Sequence, residues 1–501
     1  VITLNNGDYS LALLFLIGLP LLAAPAVYFA GRLFNFARWA ALIAIGVLWI
    51  PFVIAAQAIG TDSISAVIGG MTLRIDGISL VLAAIALTLG SLVVLYSNRY
   101  IAHEENEDKY YAMLTALIGV MIGLGCATDL FNLWVWFEAM AISSYLLVAF
   151  YRDQPASLEA GVKYLVQSAV GSVLVLLGIA LVLAMTGTMN LAEIRAAAGH
   201  VDALPLLAAG ALFVIGFGVK AALVPMHTWL PDAHSQAPSG ISAMLSGVVI
   251  EAGLVALLRA MASLSGVTLS WGVLLMGFGA LNMLAGNLLA LRQKQVKRML
   301  AFSSLSHMGY MLVGLGIAVY MGQSAAASGS FFHVINHGLM KGLAFLAAGA
   351  LLYTLYIKTG DHTSPLTIND IGGAARKYPV VALTLSIAVL GLAGLPPFAG
   401  FMSKWQIFAA GFATQNTAID LLVIFAALNS VLSLAYYAPI VNAVYRQEPS
   451  EAVTRGAKLP ITMSIPLVVM AVAIVVIGLW PSLLAGLTGP AGVALVKAFG
   501  G

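Results

Sequence analysis

The sequence predicts an all-α polytopic membrane protein of about fourteen transmembrane helices, and three observations carry that prediction. Of its 501 residues 61% are hydrophobic and only 9% charged, against roughly 25% charged in ordinary soluble domains. Apolar stretches of about 20 residues, the length of one bilayer crossing, follow one another almost end to end. The basic residues are gathered on alternate loops, as the positive-inside rule requires of a membrane chain. No polar segment is long enough to enclose a core of its own, so the length does not imply several soluble domains.

The spans fall near 10–30, 38–59, 77–97, 110–127, 129–150, 162–185, 205–225, 240–262, 270–290, 298–320, 328–356, 378–412, 420–445 and 460–482. The stretch from Val1 to Ser10 has no basic region ahead of its apolar run, so no cleaved signal peptide is expected. With the N-terminus outside, one set of loops holds most of the 23 Lys and Arg, among them Arg292, Lys294, Lys297 and Arg298, while the other holds only Arg74, Arg195 and Lys497. Both termini therefore belong on the non-cytoplasmic side. Arg259 falls at the outer end of its span and reads as an interfacial anchor. The charged loop 98–109, with His103 and Glu104, reads as a solvated or partner-facing surface.

Five spans carry a lone acid or base near the middle: Glu138, Lys220, Glu251, Lys341 and Lys404. Each costs about 2.5–3.5 kcal/mol on insertion scales, so the default reading is an ion or proton path inside the bilayer. In the fifth span Glu138 suits a structural partner for a cation or a carboxylate that tunes Lys220. The seventh span has Gly216 and Gly218 before Lys220 and Pro225 after it; the twelfth has Gly391, Gly394, Pro396, Pro397 and Gly400 before Lys404. Proline removes a backbone donor and glycine weakens a helix, so both spans are expected to break inside the membrane. Paired interruptions in corresponding places point to inverted repeats, here helices 4–8 (110–262) and helices 9–13 (270–445), flanked by helices 1–3 (1–109) and by helix 14 with its tail (460–501). Lys220 and Lys404 then become equivalent positions in two half-channels; ordinary proline kinks are the alternative. In the eleventh span His333, His337 and Lys341 recur every four residues, along one helix face over about 12 Å. Imidazole accepts and donates through different nitrogens, and such a row can relay protons. His307 in the tenth span, beside Ser303, Ser304 and Ser306, is a further carrier.

Other chemistry fits poorly. His333 and His337 have zinc-pair spacing, but Val334 stands where an H-E-x-x-H site needs Glu, so no metal site and no catalytic residue is assigned. A His pair on one helix does not make a haem sandwich. No phosphate-binding loop supports ATP-driven transport, and a net charge of +3 gives no support to nucleic-acid binding. Cys126, the one cysteine, excludes an intramolecular disulfide and a cysteine-ligated iron–sulfur cluster built by this chain alone.

Four strings carry a resemblance: Met226-His-Thr-Trp-Leu-Pro-Asp232-Ala-His-Ser-Gln-Ala-Pro238, Lys297-Arg-Met-Leu-Ala-Phe-Ser-Ser-Leu-Ser-His307-Met-Gly-Tyr310, His333-Val-Ile-Asn-His337-Gly-Leu-Met-Lys341 and Gly394-Leu-Pro-Pro-Phe-Ala-Gly-Phe-Met-Ser-Lys404. The chain resembles the antiporter-like subunits of respiratory complex I, Mrp sodium/proton antiporters and membrane-bound hydrogenases, over spans 3 to 14 in order. The resemblance implies a fourteen-helix core with two inverted five-helix repeats, broken seventh and twelfth helices and a polar axis along the midplane. It also implies a Glu138–Lys220 pair, a connection through His307 and the eleventh helix, and a terminal lysine at Lys404. Glu251, in Ser246-Gly-Val-Val-Ile-Glu251-Ala-Gly, departs from the lysine of most relatives; an acid there is expected to pair with Lys220, Lys341 or another buried cation, or to sit protonated. With about twenty residues after the last span in this sequence, the long lateral helix of the largest complex I relative is not expected.

The first functional expectation is a proton-translocating subunit of a multisubunit redox-driven complex, with protons passing between Lys220, Glu251, His307, His333, His337, Lys341 and Lys404 as the Glu138–Lys220 interaction changes. Redox chemistry is not assigned to this chain: no cofactor is expected in it, and iron–sulfur or flavin groups would belong to partner subunits. Its partners are other membrane subunits, the lipid of an energy-coupling membrane of the bacterial inner-membrane type, protons and possible Na⁺. The alternatives are the D-type subunit of an Mrp Na⁺/H⁺ antiporter and a bicarbonate-uptake subunit.

Overall fold

The computed structural model describes every residue except 1, 5–7, 60–62, 69, 103, 268, 360–363 and 447; His103 therefore lies outside the described residues. The chain opens with β1 (Ile2–Leu4), α1 (Asp8–Phe34) and α2 (Ala37–Ala58). Strands β2 (Ile64–Ile68) and β3 (Met71–Ile75) follow, antiparallel with Ile64 opposite Ile75, and β1 pairs β2 on its other edge. Short period-two runs such as Met-Thr-Leu-Arg-Ile, with Gly70 in the left-handed region at the turn, favour a hairpin over helix. This sheet lies outside the spans and was not expected from the sequence.

Next come α3 (Gly77–Tyr100), α4 (Glu107–Gly125), α5 (Leu130–Val148), α6 (Pro155–Thr186), the short α7 (Leu191–Ala198), α8 (Ala203–Lys220) and α9 (Trp229–Gln236). The eighth span, Ser239–Ser263, consists of α10 (Ser239–Met244), a π-helical turn over Leu245–Val249, and α11 (Ile250–Ser263). Then follow α12 (Trp271–Ala290), α13 (Val296–Met321), α14 (Ser324–Leu355), α15 (Pro379–Ala393), α16 (Ala399–Phe412), α17 (Thr417–Arg446), the short α18 (Glu451–Arg455), α19 (Ile461–Leu479) and α20 (Ala485–Ala498). Among the described residues twelve helices are long and apolar enough to cross a membrane, with the eighth span taken as one. Helix occupies each apolar stretch expected from the sequence; α6 starts two turns early, with Pro155 at its first turn, where a missing N–H costs nothing.

Both expected breaks are present. Helix stops at Lys220 and resumes at Trp229, and it stops at Ala393 and resumes at Ala399. The two lysines sit on opposite sides of their breaks: Lys220 is the last residue of the first half-helix, whereas Lys404 lies in the second. They are therefore not in equivalent register. Freed backbone groups at the first break are taken up by α12, where Asn282 Oδ1 accepts from Val224 N at 2.9 Å and Asn282 Nδ2 donates to Ala222 O at 3.1 Å.

Burial places the middle of the molecule at the eighth span, α13 and α14, whose apolar windows are 100%, 94% and 94% buried, while α17 at 28% faces outward. Small residues allow the close crossings. A Cβ on Gly309 of α13 would meet Gly279 O of α12 at 2.5 Å, and one on Gly338 of α14 would meet Gly247 O of the π turn at 2.8 Å. The second crossing brings Glu251 against α14.

Candidate functional site

Glu251 is buried, and its Oε1 lies 2.6 Å from His337 Nδ1, a hydrogen bond whose proton belongs to either partner. The partner it bonds is thus this imidazole, while Lys341 Nζ, one of the cations expected for it, donates elsewhere. The π turn immediately before Glu251 is a local irregularity of the kind that gathers at functional sites. Beyond His337 the His307 ring stands with its centroid 5.2 Å away, and His307 Nδ1 is 3.1 Å from His333 Nε2. His333 Nδ1 in turn meets Ser403 Oγ at 2.8 Å, one residue from Lys404. The contacts therefore zigzag between α11, α14, α13 and α16 rather than running down one face of α14.

Lys341 does not extend that row. Its Nζ donates to Leu300 O at 2.7 Å and to Ser303 Oγ on α13, and Ser303 is hydrogen-bonded to Tyr437 on α17. Lys404 Nζ donates to Leu392 O at 2.9 Å and to Ser430 Oγ at 2.8 Å, and stands 4.6 Å from the centre of the Tyr310 ring. The Leu392 carbonyl belongs to the last turn of α15, which the helix break leaves without an intrahelical donor; the negative end of the half-helix dipole holds the ammonium there.

Lys220 and Glu138 sit apart from this cluster. Lys220 is fully buried at the C-terminal, negative end of α8, and its Nζ lies 3.9 Å above the Tyr164 ring, which stacks on Trp229 at 3.9 Å. Glu138 is half-buried on α5. Among the described residues Lys220 Nζ and Glu138 Oε1 each lack a hydrogen-bond partner, so the expected pair is not in direct contact. The Lys220 backbone packs closely on Gly253 of α11, where an added Cβ would be 2.9 Å from Lys220 Cβ, two residues from Glu251. Glu251 Oε2, His337 Nε2 and Tyr310 OH are likewise buried without a partner among the described residues.

Two assignments change. Arg259 is not an interfacial anchor: it is 7% exposed, and both terminal nitrogens grip Asp76, at 3.1 and 2.9 Å, while one also donates to Gly125 O. Burial works against the Asp76 carboxylate, but Arg259, the Ser79 amide and Arg74 outweigh it and hold the carboxyl below its usual range. Lys297, placed in a loop by the sequence, is buried and donates to Ala237 O at 2.5 Å. One further buried histidine was missed. His234 of α9 stacks on Phe345 at 4.6 Å with neither nitrogen partnered among the described residues. Its place among titratable groups could have been suspected from the Asp232-Ala-His234 string that follows the first break. No cluster of three or more His, Cys, Asp or Glu suited to a metal is found among the described residues.

Residues 127–433 match the family described as NADH:quinone oxidoreductase/Mrp antiporter, transmembrane, and residues 64–111 match the N-terminal region of NADH-ubiquinone oxidoreductase (complex I) chain 5. Subunit N of the F420H2 dehydrogenase of Methanosarcina mazei is 33% identical over 399 residues, 79% of each chain. NADH-quinone oxidoreductase subunit N of Trichlorobacter lovleyi is 33% identical over 404 residues, 79% of this chain and 80% of that one. Among solved structures, a chain of the archaeal membrane-bound sulfane sulfur reductase superposes with a TM-score of 0.87 at 28% identity, covering 97% of this chain and 98% of that one. A chain of the Mrp complex from Dietzia has a TM-score of 0.86 over 99% of this chain and 100% of that one; at 22% identity that likeness speaks for the fold. A chain of respiratory complex I from Thermus thermophilus gives 0.76 at 25% identity, over 94% of this chain and 98% of that one.

Proposed function

Because the chain belongs to the family of antiporter-like membrane subunits common to complex I-type and Mrp assemblies, we propose that it moves protons across the bilayer as one subunit of a multisubunit, redox-driven complex I-type assembly. The observation that carries this reading is the buried succession Glu251, His337, His307, His333 and Ser403, which brings exchangeable protons to the neighbourhood of Lys404. Electron transfer belongs to other chains in this reading, and the relatives that support it are named as dehydrogenase and oxidoreductase subunits.

A change of charge beside the half-buried Glu138 alters the field at Lys220, whose ammonium lies over an aromatic face at the end of a helix. Loss of its proton raises the demand for a proton at Glu251, and the imidazoles pass it on by accepting at one nitrogen while donating from the other. The unpartnered Lys220 Nζ, Glu251 Oε2 and His337 Nε2 support hydration of the intervening steps, since an unsatisfied buried polar group costs about 1–3 kcal/mol. Inverted repeats 110–262 and 270–445, with both termini on the non-cytoplasmic side, are the architecture this reading assumes.

The first experiment is a mild-detergent purification of the subunit at native expression level, with co-purifying chains identified by mass spectrometry and iron and flavin assayed. Iron–sulfur or flavin subunits, together with donor-dependent proton flux in vesicles, are the expected result. Sodium-dependent proton flux in a cofactor-free complex would replace this reading with the antiporter one, and a zinc-binding soluble partner would replace it with bicarbonate uptake.

A further inference from the structure

At the face opposite the basic loops lies a cavity of about 690 Å³, lined by the end of α2, the start of α3, α7, the end of α11 and α20. Its volume falls within the roughly 300–1,000 Å³ of small-molecule sites. Arg74, Arg195 and Lys497 all line it. They are the three basic residues that the sequence assigns to loops on that face, where Lys and Arg are otherwise avoided, and they come from three separate elements. Arg259 joins them from α11 and grips the wall's carboxylate, Asp76, at 2.9–3.1 Å, with Arg74 Nη2 farther from the same carboxylate at 3.9 Å. Three cations are thus left in excess among the described residues. Arg259 is 7% exposed, and its Nε, like Arg74 Nε, has no hydrogen-bond partner among those residues.

The remaining wall is apolar, with Ile59, Ile78, Leu191 and Leu258 in it. Ile59 directly follows the last turn of α2 and Ile78 lies in the first turn of α3, so cations and aliphatic side chains meet at the level where spans end. That is the height of a lipid headgroup.

We propose that this cavity binds an anionic phospholipid, its phosphate between Arg74, Arg195 and Lys497 and the upper part of its acyl chains against the aliphatic wall. Free phosphate offers the same anion but leaves that wall uncovered. A zwitterionic lipid covers the wall but brings its own cation to three others. The occupant is therefore selected by net charge and by chains together. Arg195 already donates to Lys497 O and Ala498 O at 2.8 Å, so the same side chain that receives the phosphate holds α20 over the cavity.

The test uses the full-length subunit, purified in a maltoside detergent, stripped of lipid and titrated under native mass spectrometry with phosphatidylglycerol, phosphatidylcholine or inorganic phosphate. At about a factor of five per cation, the wild-type protein is expected to favour phosphatidylglycerol over phosphatidylcholine on the order of a hundredfold. The Arg74→Gln/Lys497→Gln variant, which gives up the long Arg74–Asp76 contact but keeps the Arg259–Asp76 pair and the Arg195 bonds, should lose most of that preference with an unchanged circular dichroism spectrum. Arg74→Gln alone should lose roughly fivefold, which keeps the test decisive if the double variant does not fold. Equal binding of the two lipids would overturn the proposal, as would a preference that survives both substitutions. Occupancy by inorganic phosphate as tight as by phosphatidylglycerol would assign the site to a free anion instead.

Discussion

Glu251 and His337 share one proton site in the middle of an apolar bundle, and the consequences of altering them separate chemistry from stability. Glu251→Gln keeps a hydrogen-bonding group of the same size, so thermal stability should change by no more than about 1 kcal/mol. Proton flux should fall by about 10²-fold or more, because an amide does not exchange a proton as a carboxyl does. Glu251→Leu should in addition lose about 1–3 kcal/mol of stability, because it leaves the buried His337 Nδ1 without its hydrogen-bond partner. Flux in proteoliposomes and melting in detergent distinguish the three proteins, and normal flux in Glu251→Gln would remove Glu251 from the path. Asp76 makes a pH-dependent contribution of the opposite character. Its carboxyl is held below the ordinary range in the folded chain, so its stabilisation is complete above that range and is lost as pH falls through the folded value. Asp76→Asn should melt lower than the wild type at neutral pH and converge with it under acid. At this scale the titratable residues were legible because a charge in an apolar run is conspicuous. Their partners were not: Ser303, Ser403 and Asn282 are residue types that usually satisfy their own helix, and the sequence does not say which neighbour they face. Arg259 was misread for the same reason, since Asp76 is 183 residues away.

The helix breaks were legible as elements, because proline and glycine announce them. What closes each break was not. Asn282 bonds both Val224 N and Ala222 O, so Asn282→Ala should cost about 1–3 kcal/mol for each group left unsatisfied and loosen the geometry around Lys220. Melting temperature and flux should fall together in that variant; unchanged melting would mean that the break satisfies itself. The α12–α13 crossing is as sensitive to size. Gly309→Leu puts side-chain atoms where even a Cβ would lie 2.5 Å from Gly279 O, and the expected result is a large loss of monodisperse protein in size-exclusion chromatography. The hairpin of β2 and β3 escaped the sequence reading because its strands are only five residues each, between long stretches that are plainly helical.

As a whole the molecule places Glu251, His307, His333, His337 and Lys341 in its most buried helices and leaves Glu138 on a half-buried flank. Glu138→Ala and Lys220→Ala should therefore each abolish or strongly reduce coupled transport while leaving assembly with partner subunits intact, measured by co-purification and by donor-dependent flux. Normal pumping in both variants would sink the axial path. The order of the spans was legible from hydropathy, whereas the lateral arrangement that brings α11, α13, α14 and α16 around one set of side chains came only from the three-dimensional structure. One feature of that arrangement acts like a cam. The π turn at Leu245–Val249 carries one residue more than an α-helical turn, and each residue is worth about 100° of rotation. Ser246 is thereby aimed at Ser304 of α13, and the remainder of the same span is turned so that Glu251 meets His337 of α14. The direction in which the acid points is thus set by a count of residues. Deleting one residue inside the turn should swing Glu251 off His337 without changing its depth in the bilayer by more than about 1.5 Å.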